Sequence, residues 1–305
     1  MSARVTRRLL LAAGAGGVVA TVARAVEERD AARMARTPRG SGDGPASAAP
    51  AGRPRRPTRA AAARPSAPQL TRPSRATEVR RYAGLSPRAW GMDLPGTTTD
   101  LAPARAVALT FDACGGPHGD GYDARLVELL RHHAVPATFF LNARWVRANP
   151  SIAAELASDP LFEVGSHGVR HLPLSVTGRA AYGIRGTRDV GQVWDEVCGG
   201  IDAVEALTGR APRWFRSGTA HYDDVALRVV HDLGLQVAGF DVNGDAGATF
   251  SPAQVAAQLA GVRPGSVVIS HVNHPDGGTA AGYERGLPLL LERGLLFRRL
   301  TQPPG

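Results

Sequence analysis

Two imidazoles stand four residues apart in Ser166-His167-Gly168-Val169-Arg170-His171. On a helical turn, residues at i and i+4 share a face, so both could reach one divalent metal, with zinc–nitrogen distances near ~2.0–2.1 Å. A turn-capping His beside a surface His would give the same pattern. The strand-like run Phe162-Glu163-Val164-Gly165 directly before it strengthens the metal reading. Asp112 lies in Thr110-Phe111-Asp112-Ala113-Cys114-Gly115-Gly116 and reads as a general base or a metal ligand, against the plainer role of capping its own loop. Arg216, in Trp214-Phe215-Arg216-Ser217-Gly218, is suited to orient a carboxylate by a bidentate pair and keep it ionised, or to make an ordinary surface ion pair. His271 ends the apolar run Ile269-Ser270-His271 and suits a general acid, against a buried and satisfied histidine. His274 is compatible with ligation but reads better as a loop residue.

Such groups act together only if the fold gathers them. From residue 104 onward, β-branched or aromatic runs alternate with segments of helical periodicity. The expected strands are 106–111, 137–141, 162–165, 213–216, 236–240, 266–270 and 296–300. The expected helices are 124–133, 151–158, 190–207, 223–233, 252–259 and 284–292. Asp123 and Ser251 suit N-caps, and Gly209, Gly234, Gly261 and Gly294 suit C-terminal stops. This alternation implies an α/β fold on a parallel sheet. About seven strand-helix units favour a distorted (β/α) barrel over an open doubly wound sheet. Asp112, His167, Arg216, Asp241 and His271 each follow a strand, so all five are expected on the carboxyl rim where active sites of parallel α/β folds sit.

The motifs resemble, in order, those of the polysaccharide deacetylase family, also called the NodB-homology domain or carbohydrate esterase family 4. Thr110-Phe111-Asp112 is similar to the first motif, Ser166 to His171 to the second, Arg216 with Gly218 to the third, and Ile269 to His271 to the fifth. Phe240-Asp241-Val242-Asn243-Gly244-Asp245 matches the fourth loosely. The resemblance implies a divalent metal held by His167 and His171, Asp112 as base, Arg216 as its orienting partner and His271 as acid. The implied reaction is metal-dependent removal of acetyl groups from a polysaccharide such as peptidoglycan, chitin or xylan, with N-acetyl favoured over O-acetyl. One position departs. Where the family has a second Asp as third metal ligand, this chain has Ala113, leaving Cys114, Asp112, Asp120 or Asp123 as substitutes. A thiolate there would favour Zn2+. The same departure leaves open a catalytically weak glycan-binding module, and an amidase on a non-carbohydrate amide is a further alternative.

Charge divides the chain sharply. Residues 1–81 carry 17 Arg against 5 acidic residues, net +12, and the remainder 19 against 22, net −3, within an overall +9. The rest has no basic stripe interleaved with aromatics, so nucleic acid is not an expected partner. Contact of the basic tail with an anionic wall or membrane surface is. Residues 1–25 carry Arg7-Arg8, a short apolar run and Ala23-Arg24-Ala25, which reads as a twin-arginine-like signal peptide and export from the cell. Residues 26–81 are rich in Arg, Pro and Ala with few large apolar side chains, the composition of a disordered linker. The catalytic domain is then expected over 82–305. Neither Cys114 nor Cys198 shows Cys-x-x-Cys spacing, and no pairing follows from sequence.

Overall fold

The computed structural model describes residues 72–101 and 105–301. Their elements in chain order are α1 (Arg75–Arg81), β1 (Trp90–Gly91), β2 (Thr97–Thr98), β3 (Ala106–Ala113), α2 (Ala124–His132), β4 (Ala137–Leu141), α3 (Ala143–Ala148), α4 (Pro150–Ser158), β5 (Phe162–Ser166) and α5 (Val190–Thr208). There follow β6 (Trp214–Phe215), β7 (Tyr222–Asp223), α6 (Asp224–Asp232), β8 (Gln236–Ala238), β9 (Val242–Asn243), α7 (Pro252–Ala260), β10 (Val267–His271), α8 (Thr279–Glu292) and β11 (Leu296–Phe297). The sheet runs β2-β8-β6-β5-β4-β3-β10-β9 with every pairing parallel, and β11 joins the first residues of β3. It curls as a half-barrel, the distorted parallel α/β architecture that the strand-helix alternation implies.

Strand alternation sorts this sheet into two faces. Val107, Leu109, Phe111 and Ala113 of β3 join Phe139 and Leu141 of β4 and Leu126 and Leu130 of α2 in one buried cluster. The intervening residues Ala108, Thr110 and Asp112 lie on the concave side, where Ala108 clusters with Phe140, Trp214, Ala238, Val267 and Leu300. The caps read from sequence form. Asp123 accepts from Leu126 N at 3.1 Å, and Ser251 makes a reciprocal capping box with Gln254. Gly209 closes α5 in the left-handed conformation, at φ 72°.

Several local expectations need correction. α8 begins at Thr279 rather than Glu284, and α3 and four two-residue strands were not anticipated. The signal-like segment 1–25 and most of the linker 26–81 lie outside the described residues. The last ten residues of that linker, 72–81, are structured, with Ser74 capping α1. Their docking runs through charge and aromatic contacts rather than an apolar stripe, which is why periodicity does not betray it. Arg72 pairs with Asp202 at 2.6 Å and with Glu205, Arg75 with Asp195 at 2.9 Å, and Arg81 with Asp232 at 2.5 Å. The Trp194 indole donates to Pro73 O at 3.0 Å.

Exposed ion pairs contribute only ~0–1 kcal/mol each, so α1 is a modest brace. Deleting residues 1–81 should lower the melting temperature below that of a 1–71 deletion by ~2–4 °C for each kcal/mol of docking lost. Equal melting temperatures for the two truncations in one thermal scan would show that α1 contributes nothing.

Candidate active site

Asp112 and His271 are the closing residues of a five-pair register between adjacent parallel strands β3 and β10. The register therefore sets a carboxylate and an imidazole side by side at the carboxyl rim. Asp112 is 3% exposed, and burying a carboxylate is costly without a counter-charge. Arg216, wholly buried at the end of β6, supplies it. One Nη1 donates both to Asp112 Oδ1 at 2.7 Å and to Thr110 Oγ1 at 2.9 Å. The remaining donors are spent on backbone, Nε to Ala238 O at 3.2 Å and Nη2 to Gly239 O at 3.0 Å, and the guanidinium lies 4.4 Å from the centre of the Phe140 ring. The pairing with Asp112 is thus one-pronged rather than bidentate, because the neighbouring strand claims the other edge of the fork.

His271 faces a second buried acid. Its Nδ1 lies 2.9 Å from Asp245 Oδ1, its backbone N–H donates to Oδ2 at 2.6 Å, and Thr279 Oγ1 donates to the same oxygen at 3.0 Å. Burial works against the charged ring, but the adjacent Asp245 carboxylate outweighs it and holds His271 well above the ordinary histidine value. Burial likewise opposes ionisation of Asp245, and the imidazolium with these hydrogen bonds overrides it, holding the acid below its usual range. His271 is thereby kept protonated and fixed in orientation.

The histidine pair is brought together, but on a loop rather than the helical turn expected. Gly168 and His171 adopt left-handed backbone, at φ 72° and 62°, and the two rings lie 4.9 Å apart, nearly perpendicular. Glu196 of α5 holds this loop by accepting from Val169 N at 3.0 Å, Arg170 N at 2.8 Å and Leu172 N at 3.4 Å. Gly218 lets the Arg216 loop pass close by, since a Cβ there would fall 2.2 Å from the His171 carbonyl carbon. His167 Nδ1 sits 2.8 Å from Arg216 O, an acceptor only, so that nitrogen carries a proton and Nε2 is the one turned to Cys114 Sγ, 3.8 Å away. His171 Nε2 is buried without a hydrogen-bond partner. A buried ring nitrogen left unpaired is costly unless something else engages it. Cys114, His167 and His171 offer ligand atoms that all lie within 4.8 Å of one another. Two imidazole nitrogens and a sulfur at this spacing fit a divalent cation.

Two of the other candidates are occupied elsewhere. Asp120 Oδ1 accepts from Gly116 N at 2.8 Å, and Asp123 caps α2. Asp241 does not reach the rim: it accepts from Val267 N at 2.8 Å and Ser266 Oγ at 3.0 Å, at the entry of β10, because its chain pairs with that strand from its first residues. Asp245, four residues on, is the acid that matters, and it was not among the residues singled out for catalysis. Glu196 was missed too, although an acid on the Val193–Val197–Gly200–Val204 stripe of a helix is a readable signal.

The His271–Asp245 pair makes a pH prediction. Asp245→Asn removes the charge that raises His271, so a reaction needing the protonated imidazole should lose its alkaline limb at lower pH than in the parent. The kcat/KM profile reads this directly. An unmoved limb would remove His271 from the role of acid.

Residues 100–238 match the polysaccharide deacetylase family. The chain is 29% identical over 215 residues to a chitooligosaccharide deacetylase of Sinorhizobium fredii, covering 65% of this chain and 92% of that protein. It is 24% identical over 139 residues to the peptidoglycan-N-acetylmuramic acid deacetylase of Bacillus subtilis, covering 45% and 47%. Among solved structures, a CE4 family pseudoenzyme from Bacillus anthracis superposes with a TM-score of 0.56 at 24% identity, over 68% of this chain and 69% of the other. At that identity the likeness speaks for the fold alone. The family match ends at the close of β8, so Asp245 and His271 stand on geometry.

Proposed function

We propose, from the match of residues 100–238 to the polysaccharide deacetylase family, that this protein belongs to that family and hydrolyses acetyl groups, N-acetyl above all, on a polysaccharide in a metal-dependent reaction. The observation that carries the proposal is the pairing of two differently prepared groups on neighbouring strands. Asp112 is an acceptor held by a fixed positive charge, and His271 is a donor held by a fixed negative one. That division is what amide hydrolysis asks for, since a base must take a proton from water and an acid must give one to the departing amine. Asp112, with Oδ1 tied to Arg216, has Oδ2 left to receive the proton of the attacking water, and it lies 3.6 Å from His167 Nε2. His271 delivers its proton to the nitrogen as the C–N bond breaks. A divalent metal bound by His167 and His171 would polarise the acetyl carbonyl and lower the pKa of water.

The test is acetate release from chitin oligomers, peptidoglycan and acetylated xylan, each with and without a chelator. Release from N-acetyl substrates that stops with chelator and returns with added zinc is the expected result. Release indifferent to chelator would remove the metal, and no release from any of the three would remove the activity. Ala113 favours a second reading, a glycan-binding module of weak activity, and glycan binding without acetate release would select it. The signal-like residues 1–25 support a site of action outside the cell, which N-terminal sequencing of protein recovered from culture medium or envelope would check.

A further inference from the structure

We propose that Cys114 is a thiolate ligand that completes the metal site, making it a Cys-His-His centre selective for zinc-like cations rather than a carboxylate-histidine one. The inference rests on the metal dependence proposed above and concerns what kind of site that metal meets. Alternation along β3 carries the first part of the argument. Ala113, beside the base, belongs to the buried cluster of Leu109, Phe111 and Trp145 on the outer face. Continuing the pattern Thr110, Asp112 by one step puts residue 114 on the concave side with the base. Position 114, not 113, is therefore the neighbour of Asp112 that turns to the site.

Geometry carries the second part. Cys114 Sγ lies 3.8 Å from His167 Nε2, and the sulfur and two ring nitrogens are mutually within 4.8 Å. His167 Nδ1 is taken up by Arg216 O, which leaves Nε2 as the nitrogen facing the sulfur, and His171 Nε2 is buried with no hydrogen bond of ordinary length among the described residues. Among the competing carboxylates, Asp120 holds Gly116 N and Asp123 the start of α2, while Asp112 has Oδ1 on Arg216 and keeps Oδ2 for the proton of the attacking water. Three protein ligands leave a position for water or substrate. A soft sulfur in place of a hard oxygen shifts preference from magnesium and manganese toward zinc and cobalt. The second cysteine, Cys198, is a buried free thiol on α5 and serves as an internal control.

The experiment uses the full chain, stripped of metal and titrated with Zn2+, Co2+ and Mn2+. One equivalent of zinc should bind far more tightly than manganese, and the cobalt form should show a near-ultraviolet thiolate-to-cobalt charge-transfer band. Cys114→Ser should abolish the band and weaken zinc binding by more than the ~10–100-fold typical of losing an outer-shell partner. Cys114→Asp should keep binding, lose the band and narrow the gap between zinc and manganese. On the unmutated protein, bound zinc should protect Cys114 from iodoacetamide, read as the mass of its peptide, while Cys198 reacts equally little with or without metal. This last measurement decides the matter even where a variant fails to fold. A cobalt form without the band, or alkylation of Cys114 unchanged by zinc, would overturn the thiolate ligand while leaving metal dependence intact. Failure of the protein to bind any of the three metals, or binding that survives both His167→Ala and His171→Ala, would instead remove the metal-dependent reading on which the inference rests.

Discussion

Replacing His271 by Ala should cost on the order of 10²-fold or more in kcat/KM on N-acetylated sugars, while leaving bound metal unchanged. An amine leaves poorly unless protonated, so amide hydrolysis depends on an acid beside the scissile nitrogen. An activated ester releases a much better leaving group and should lose less. His271 is suited to separate these outcomes because its ring Nδ1 and its backbone N–H both bond to Asp245, and it is not one of the clustered ligand residues Cys114, His167 and His171. The measurement is the ratio of the two losses in one preparation of known metal content. Equal losses would identify a ligand or a structural histidine in place of an acid.

The second large effect is expected at Arg216, and there stability and activity should fall together. Arg216→Met keeps much of the side-chain length but leaves the Asp112 carboxylate, 3% exposed, without its counter-charge. Removing one partner of a buried pair typically costs ~3–5 kcal/mol, because the orphaned charge remains. It also leaves the Ala238 and Gly239 carbonyls without their side-chain donor. Asp112→Asn should behave differently. An amide oxygen can still accept from Arg216, so the stability loss should be smaller, while loss of the base removes ~10²–10⁴-fold of rate. Urea unfolding and kcat/KM on the two variants test this crossing of effects. A stable, slow Arg216→Met protein would mean that the arginine tunes chemistry alone, and a destabilised but active one would mean that it only holds the fold.

The order of strands and helices was legible because each carries its own period. Val107 to Phe111 alternates across a sheet, and Val190 to Val204 repeats with a helical period, so local side-chain pattern suffices to locate both. The rim residues were legible for a related reason: a polar group directly after an apolar run is a local anomaly. Asp112, His167, Arg216 and His271 each stand in that position and each reaches the concave site. Asp241 stands in it as well and does not, because β9 meets β10 near its entry and the acid is used there.

What tertiary structure alone decided is how distant segments share partners. Asp245 joins His271 across 26 residues, Glu196 gathers three amides of the His167–His171 loop, and Arg216 reaches Asp112 across 104. None of these pairs has a period or a spacing, since chain separation does not encode proximity once strands are reordered in a sheet. The histidine pair shows the limit from the other side. Its spacing suggested a helical turn, yet a left-handed Gly168 and His171 anchored by Glu196 bring the rings together on a loop. α1 is the converse case, a segment with the composition of a linker that is fixed by acids on α5 and α6, which its own sequence does not contain. Local pattern determined the elements and nominated the chemistry, because both are properties of neighbouring residues. The fold decided which nominees meet, because burying a charge forces it to find its counter-charge wherever the topology has carried it.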